Sequence, residues 1–140
     1  FLKTDRPISV WQAKREGLWG KFDIQLFGLH KERDILYQAI DRRVEAMFQH
    51  GAVEEIEGLK EAPWSRTARK IIGVEEIFGF LKREYPLGRA KELMKFHTHQ
   101  YAKRQWTWFK REERLRWMMI QDEEDPAQTA SRIMEGLEKK

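Results

Sequence analysis

The sequence predicts a mainly α-helical fold with one or two short strands. Two observations carry the helices: apolar residues recur every three to four positions through Ile35/Leu36, Ala39/Ile40, Val44 and Met47/Phe48, and again through Ile71, Val74, Ile77, Phe78 and Leu81. A third limits the sheet, because only Phe22–Leu29 and Trp117–Ile120 read as strands. At 140 residues the chain is one domain's worth, long enough to bury roughly two-thirds of the surface its unfolded form exposes.

Taken in order, Ser9 to Glu16 is a short helix candidate, with Ser9 as N-cap and Gly17 as stop. Phe22–Leu29 alternates apolar and polar before turning fully apolar, which predicts a strand buried at its end. Lys31 to His50 carries the clearest helical period and ends at Gly51. A shorter helix to about Lys60 turns Val53, Ile56 and Leu59 inward, and Pro63 and Trp64 open a loop. One helix is predicted over 67–84, broken by Pro86, with Gly73 and Gly79 inside it permitting close approach of another helix or of RNA. A long helix follows from Gly88 to Arg111, and Asp125 caps a last helix that begins at Pro126 and runs through Leu137. There is no internal repeat and no low-complexity segment.

Composition excludes several classes. Without cysteine there are no disulfides, zinc ribbons or thiolate chemistry. His97 and His99 stand two apart, on different helix faces, so they make no metal pair. No apolar run approaches the roughly 18 residues of a membrane span, and the expectation is a cytoplasmic protein without membrane contact. Charged residues make up 36% but the net charge is only +4, so a nucleic-acid footprint has to be local. Between 86 and 111 Glu92 is the sole acid. The opening Phe1-Leu2-Lys3-Thr4-Asp5 has no Met, and a piece of a longer chain is expected.

The stretch Tyr101-Ala102-Lys103-Arg104-Gln105-Trp106-Thr107-Trp108-Phe109-Lys110-Arg111 carries the chemistry. It holds four cations, four aromatics, one amide and one hydroxyl, with no carboxylate. Cations neutralise phosphate, aromatic faces receive unstacked bases, and Gln and Thr hydrogen-bond base edges or sugar hydroxyls. Tyr101, Gln105, Trp108 and Phe109 share one side of a helix, so Tyr101, Trp108 and Phe109 are equally readable as core with the cations as a solvated rim. An amphipathic helix requires Trp106 or Trp108 to face inward, and Trp108 is the one expected there.

Several segments occur here in the order and spacing of a known family: Phe27-Gly28-Leu29, Leu36-Tyr37 with Ile40, Arg42-Arg43-Val44 with Met47, Gly51 with Glu54-Glu55, Ile72-Gly73, and Tyr101 to Lys110. From about residue 4 to 120 the chain resembles the C-terminal portion of the tRNA dimethylallyltransferases (tRNA isopentenyltransferases), and Arg6-Pro7-Ile8-Ser9 is similar to a segment past the middle of those enzymes. The Ala-Lys-Arg-Gln-x-Thr-Trp-Phe match at 102–109 is the specific one.

The resemblance implies a division into 1–20 as the end of an insertion region, 21–120 as core and tRNA-binding helices, and 121–140 as a C-terminal helix. The fold implied is the C-terminal helical part of a P-loop-type α/β core. It also implies transfer of a dimethylallyl group from dimethylallyl diphosphate, assisted by magnesium, to the exocyclic amine of the adenosine 3′ of the anticodon, with the target base flipped out of its stack. The implied partners are a tRNA anticodon stem-loop and the N-terminal half of the enzyme. That half would hold the catalytic Asp and the Gly-Lys-Thr/Ser phosphate loop, which these 140 residues do not contain, so no catalytic residue and no magnesium ligand is assigned here and the chain alone is expected to be inactive. Lys103, Arg104, Gln105, Trp106, Thr107, Trp108, Phe109 and Lys110 match one tRNA-contacting segment, and Lys70, Ile71, Ile72 and Gly73 a second. Ala39, Val74, Glu75 and His99 depart from the family pattern, with Glu75 standing where a basic residue is usual. A non-enzymatic helical RNA-binding module is the alternative reading, and a helical interaction domain with an aromatic core is a third.

Overall fold

The computed structural model describes Val10 and residues 21–138, so the helix expected over 9–16 and the Arg6–Ser9 segment lie outside the described residues, as does nearly all of the 1–20 region. The described elements are Leu26–His30 (β1), Arg33–Gln49 (α1), Ala52–Gly58 (α2), Arg66–Arg69 (α3), Val74–Leu81 (α4), Leu87–Phe109 (α5), Leu115–Met119 (β2) and Pro126–Glu138 (α6). The fold is mainly helical with two short strands, as the pattern of the sequence predicts.

The apolar period of α1 aims Ile40 and Val44 at Met94 of α5, and these three side chains are buried together with Leu36, Tyr37, Phe48, Ile72 and Ala102 packed around them. Helix α1 ends at Gln49, two residues before Gly51, whose φ of 93° places it in the left-handed region that glycine enters at least cost. Glu45 of α1 crosses to α5 and pairs with Lys91 at 2.7 Å and Lys95 at 2.8 Å. Helix α2 turns Val53 and Ile56 partly inward. Leu59, expected inward, is exposed because the helix has already ended at Gly58.

The single helix predicted over 67–84 is two helices. Helix α3 is capped by Ser65, whose Oγ accepts from the Ala68 amide at 3.1 Å, and it stops at Arg69. Gly73 then takes φ 106°, which no α-helix accommodates, and becomes the N-cap of α4. Tertiary contact overrides the local period: a Cβ at Gly73 would stand 2.8 Å from Met94 Cε. Ile71, counted as an inward position of the unbroken helix, consequently lies 60% exposed. Gly79 does sit within α4, beneath the Tyr85 ring, whose hydroxyl donates to the Glu76 carbonyl at 3.0 Å.

The strands are shifted from their expected bounds, to Leu26–His30 and Leu115–Met119. They pair in parallel, Leu26 opposite Leu115 and His30 opposite Met119. Alternation within a strand says nothing of a partner some 90 residues away, and a parallel pair needs a crossover, here the whole run from α1 to α5. A strand taken alone would present two unpaired edges. Instead one edge is paired, Trp117 crosses Gly28, and Phe27 packs under Gly136 of α6. Arg116 donates to the Gly136 carbonyl at 2.7 Å, which anchors α6. Asp125 and Pro126 start that helix as expected, the Asp125 carboxylate accepting from the Ala127 amide at 2.8 Å. Asp122, just past β2, binds Lys31 at 3.0 Å and Arg42 at 2.7 Å, and these two cations hold its carboxyl below the usual range.

Two stability predictions follow from these contacts. Lys91 and Lys95 depress the Glu45 carboxyl from 4.5 to about 2, so the pairs stabilise fully above pH 4.5 and their contribution is lost as the pH falls through 2. Because Glu45 stays more than one-third exposed, water screens both pairs and the net effect is under about 1 kcal/mol. Glu45→Gln should lower the melting temperature slightly at pH 7, and the difference from the parent should vanish at the acid end of that window. Gly28→Ala should cost about 1–3 kcal/mol in denaturant unfolding, since the new methyl would meet Trp117 Cε3 at 2.7 Å.

Candidate nucleic-acid interface

Helix α5 places the basic and aromatic stretch. Its amino-terminal half is fixed by buried Ala90 and Met94. Stepping four residues at a time from Ala90 leads through Met94, Thr98 and Ala102 to Trp106, which is therefore the tryptophan turned toward the rest of the molecule. The Trp106 ring lies 4.8 Å from Trp117 of β2 and 5.6 Å from His30 of β1, centroid to centroid. Trp108, two residues on and about 200° round the helix, is 67% exposed and touches only its neighbour Phe109 edge-on among the ring contacts. This reverses the expected assignment, because the phase of the stripe is set by Ala90 and Met94, well before the aromatic run begins.

The other aromatics are surface as well: Tyr101 is 49% exposed and Phe109 42%, and Trp106 keeps 44% of its surface open beside its contacts with Trp117 and His30. Reading Tyr101, Trp108 and Phe109 as core does not survive these values. Lys103, Arg104, Gln105, Thr107 and Lys110 are all exposed. Among the described residues none of Lys103, Arg104, Lys110 and Arg111 enters an ion pair. Arg104 stands 5.9 Å from the Tyr101 ring centre, a placement that stacks the guanidinium while leaving its edge donors outward. The Thr107 hydroxyl donates to the Lys103 carbonyl at 2.9 Å, so it has only acceptor capacity left.

Beside this stretch opens a cleft of about 890 Å³, floored by the ends of β1 and β2 and walled by α1 and α5. Lys103, Gln105, Trp106, Thr107 and Phe109 line it, whereas Arg104, Trp108 and Lys110 stand outside it. The floor and the opposite wall bring His30, Lys31, Arg33, Tyr37 and Trp117. None of these five was assigned to a site from sequence, although Tyr37 falls in the Leu36-Tyr37 segment. A signal existed for His30 and Lys31, since ligands gather at the carboxyl ends of parallel strands, but it becomes readable only once the pairing is known. Lys31 faces the cleft already bonded to Asp122.

The second predicted segment is elsewhere. Lys70 and Ile71 are exposed on the turn before α4, while Ile72 is half-buried and Gly73 buried against α5. The two segments thus meet different levels of one helix and are not joined in the cleft. Of the departures from the family pattern, His99 stacks on Tyr37 at 4.1 Å with its Nε2 3.0 Å from Asp41 Oδ1, off-line for a hydrogen bond, and so serves the α1–α5 contact. Glu75 is exposed in the first turn of α4, where a carboxylate suits the helix amino terminus. The described residues gather no set of three His, Asp or Glu side chains that could hold a metal ion.

The two tryptophans separate experimentally. Trp106→Ala should lower unfolding free energy by about 1–2 kcal/mol through lost ring contact, and Trp108→Ala should leave it within about 0.5 kcal/mol. Equal losses in a urea titration would contradict this division.

The chain is similar to proteins of one kind. The sequence pattern of the IPP transferase family matches residues 1–112. A tRNA dimethylallyltransferase of Desulforamulus reducens is 35% identical over 138 residues, 98% of this chain and 49% of that protein. One of Geobacter metallireducens is 38% identical over 120 residues, 84% of this chain and 39% of its own length. The chain thus spans about half or less of these curated relatives. Among solved structures, a full-length tRNA isopentenylpyrophosphate transferase of Bacillus halodurans matches 81% of this chain and 37% of its own, with a TM-score of 0.73 at 30% identity. A tRNA delta(2)-isopentenylpyrophosphate transferase of Staphylococcus epidermidis matches 99% of this chain and 46% of its own, with a TM-score of 0.74 at 30% identity. With the family pattern running through most of its length and solved structures agreeing in fold, the chain belongs to the IPP transferase family.

Proposed function

We propose that this chain is the tRNA-binding C-terminal part of an enzyme that moves a dimethylallyl group from dimethylallyl diphosphate to the exocyclic amine of the adenosine 3′ of a tRNA anticodon. Membership of the family supports the reaction class. The observation that carries the binding role is the carboxylate-free stretch at the end of α5, whose four cations enter no ion pair among the described residues and whose four aromatics are all exposed. Such a surface neutralises phosphate and stacks bases at once.

In this reading Lys103 and Arg104 contact phosphate or base edges, Gln105 and the acceptor of Thr107 bond near the flipped nucleotide, and Trp108 is the open stacking face. Trp106 and Phe109 form the cleft wall and Lys110 adds charge beside it. Lys70 and Ile71 make a second contact, for which Ile72 and Gly73 supply the backbone turn. The remaining half of the enzyme is placed against the strand pair, where Leu29 and Met119 remain 46% and 43% exposed. In this reading catalytic groups, the phosphate loop and any magnesium belong to that half. No described helix is long and apolar enough to cross a membrane, and we place the enzyme in the cytoplasm, with 21–120 as core and tRNA-binding helices and 121–140 as a C-terminal helix.

Titration with an anticodon stem-loop at two salt concentrations, beside the same loop with its target adenine replaced, tests the proposal. Binding should weaken with salt and with the replacement. Arg104→Ala should reduce affinity by about 1–3 kcal/mol with little change in melting temperature. A large loss of stability with unchanged binding would reassign Arg104 to structure. Dimethylallyl transfer should be absent from the chain alone and appear when the N-terminal half of a relative is added in trans.

A further inference from the structure

Glu76 is a buried carboxylate on α4, 6% exposed. A carboxylate in such a place costs several kcal/mol unless its oxygens are engaged, and both are. Oε2 accepts the Gly73 amide at 2.7 Å, while Oε1 lies 2.5 Å from Nδ1 of His97 on α5. The first bond is half of a capping box, satisfying an amide that the helix start would leave without a partner. Capping alone does not need the second. A bond to His97 ties the Gly73 turn to the helix whose next turns carry Lys103 and Arg104.

Met94, three residues before His97 on the same face of α5, presses on the other side of the turn, its Cε 2.8 Å from where a Gly73 Cβ would stand. Held between Met94 and the Glu76–His97 contact, the positive φ of Gly73 sends Ile72 inward onto Ile40, Val44 and Met94 and leaves Ile71 and Lys70 outside. An apolar residue at 76 would fill the same space without fixing that geometry.

Resting on the RNA-binding reading above, we infer that Glu76, clamped by His97, is a positioning residue that holds the Lys70–Gly73 turn at a set place relative to the basic end of α5, so that one RNA is met by both. Neither Glu76 nor His97 touches RNA in this arrangement.

The test is a double-mutant cycle on stem-loop affinity, run on the whole chain at a temperature where circular dichroism shows every variant folded. Lys70→Ala and Glu76→Gln should each weaken binding about threefold to tenfold, and the pair should be no weaker than the worse single variant, since a displaced Lys70 has nothing left to lose. A purely structural Glu76 would give effects that multiply, and that result, or affinity unchanged in Glu76→Gln, overturns the inference. Should Glu76→Gln not fold, His97→Phe reads the same clamp from α5: it keeps the cap and the ring, and about a threefold loss that vanishes in the Lys70→Ala background is expected. No loss overturns the inference. A parent chain that binds no stem-loop removes the RNA-binding reading and this inference with it, a failure told apart by the silence of the parent itself.

Discussion

Met94 is the contact on which the arrangement turns. One unbranched side chain meets Ile40 and Val44 of α1 and leaves no room for a side chain at Gly73. A thioether with three rotatable bonds fills an irregular gap of this kind better than a branched residue. Because Met94 fixes α5 against α1 and the α3–α4 turn together, it sets the rotation of α5, and the rotation decides which of the later aromatics face in. The described core is otherwise thin, with Ile40, Val44, Val74, Ile77, Ala90 and Met94 as its buried apolar members. In a core so small a change of phase in one helix has nothing else to resist it.

The strand pair depends on the same helix from the other side. Parallel strands usually lie in sheets covered on both faces, and here two strands of five residues each carry the motif alone among the described elements. Their stability comes from side chains laid across them: Trp117 over Gly28, Trp106 and His30 against Trp117, and α6 over Phe27. Asp122 then ties the segment after β2 to the start of α1. The cleft exists because α1 and α5 diverge from their shared core toward these strands, so its walls are the exposed ends of elements whose other ends are buried.

What could be read from the sequence follows the range of the forces involved. Helix α1, the stop at Gly51 and the Asp125–Pro126 helix start are set by periodicity and capping within a few residues, and they lie where the pattern places them. The basic and aromatic character of 101–111 is a matter of composition and needed no fold. The break at Gly73 was hidden because Ile71, Val74, Ile77 and Phe78 keep helical spacing across it, and what breaks the helix is a methionine twenty-one residues on. Trp106 and Trp108 were exchanged for the same reason. His30, Lys31, Arg33, Tyr37 and Trp117 became site residues only through a parallel pairing that no local pattern encodes.

Charge is divided along α5 by what α1 opposes to it. In the first half, Lys91 and Lys95 converge on Glu45, and Arg89 pairs with Glu92 at 3.0 Å. In the second half, Lys103, Arg104, Lys110 and Arg111 face solvent and enter no ion pair among the described residues. A chain of net charge only +4 therefore presents a concentrated positive end, whose field at physiological salt fades within about 8 Å. Lys110 and Arg111 also sit beside the negative carboxyl end of the helix dipole, which they stabilise by a few tenths of a kcal/mol each. That local role accounts for two cations at the helix end. It does not account for Lys103 and Arg104, which lie more than a turn earlier and enter no ion pair among the described residues, Lys103 on the cleft wall and Arg104 on the open surface outside it.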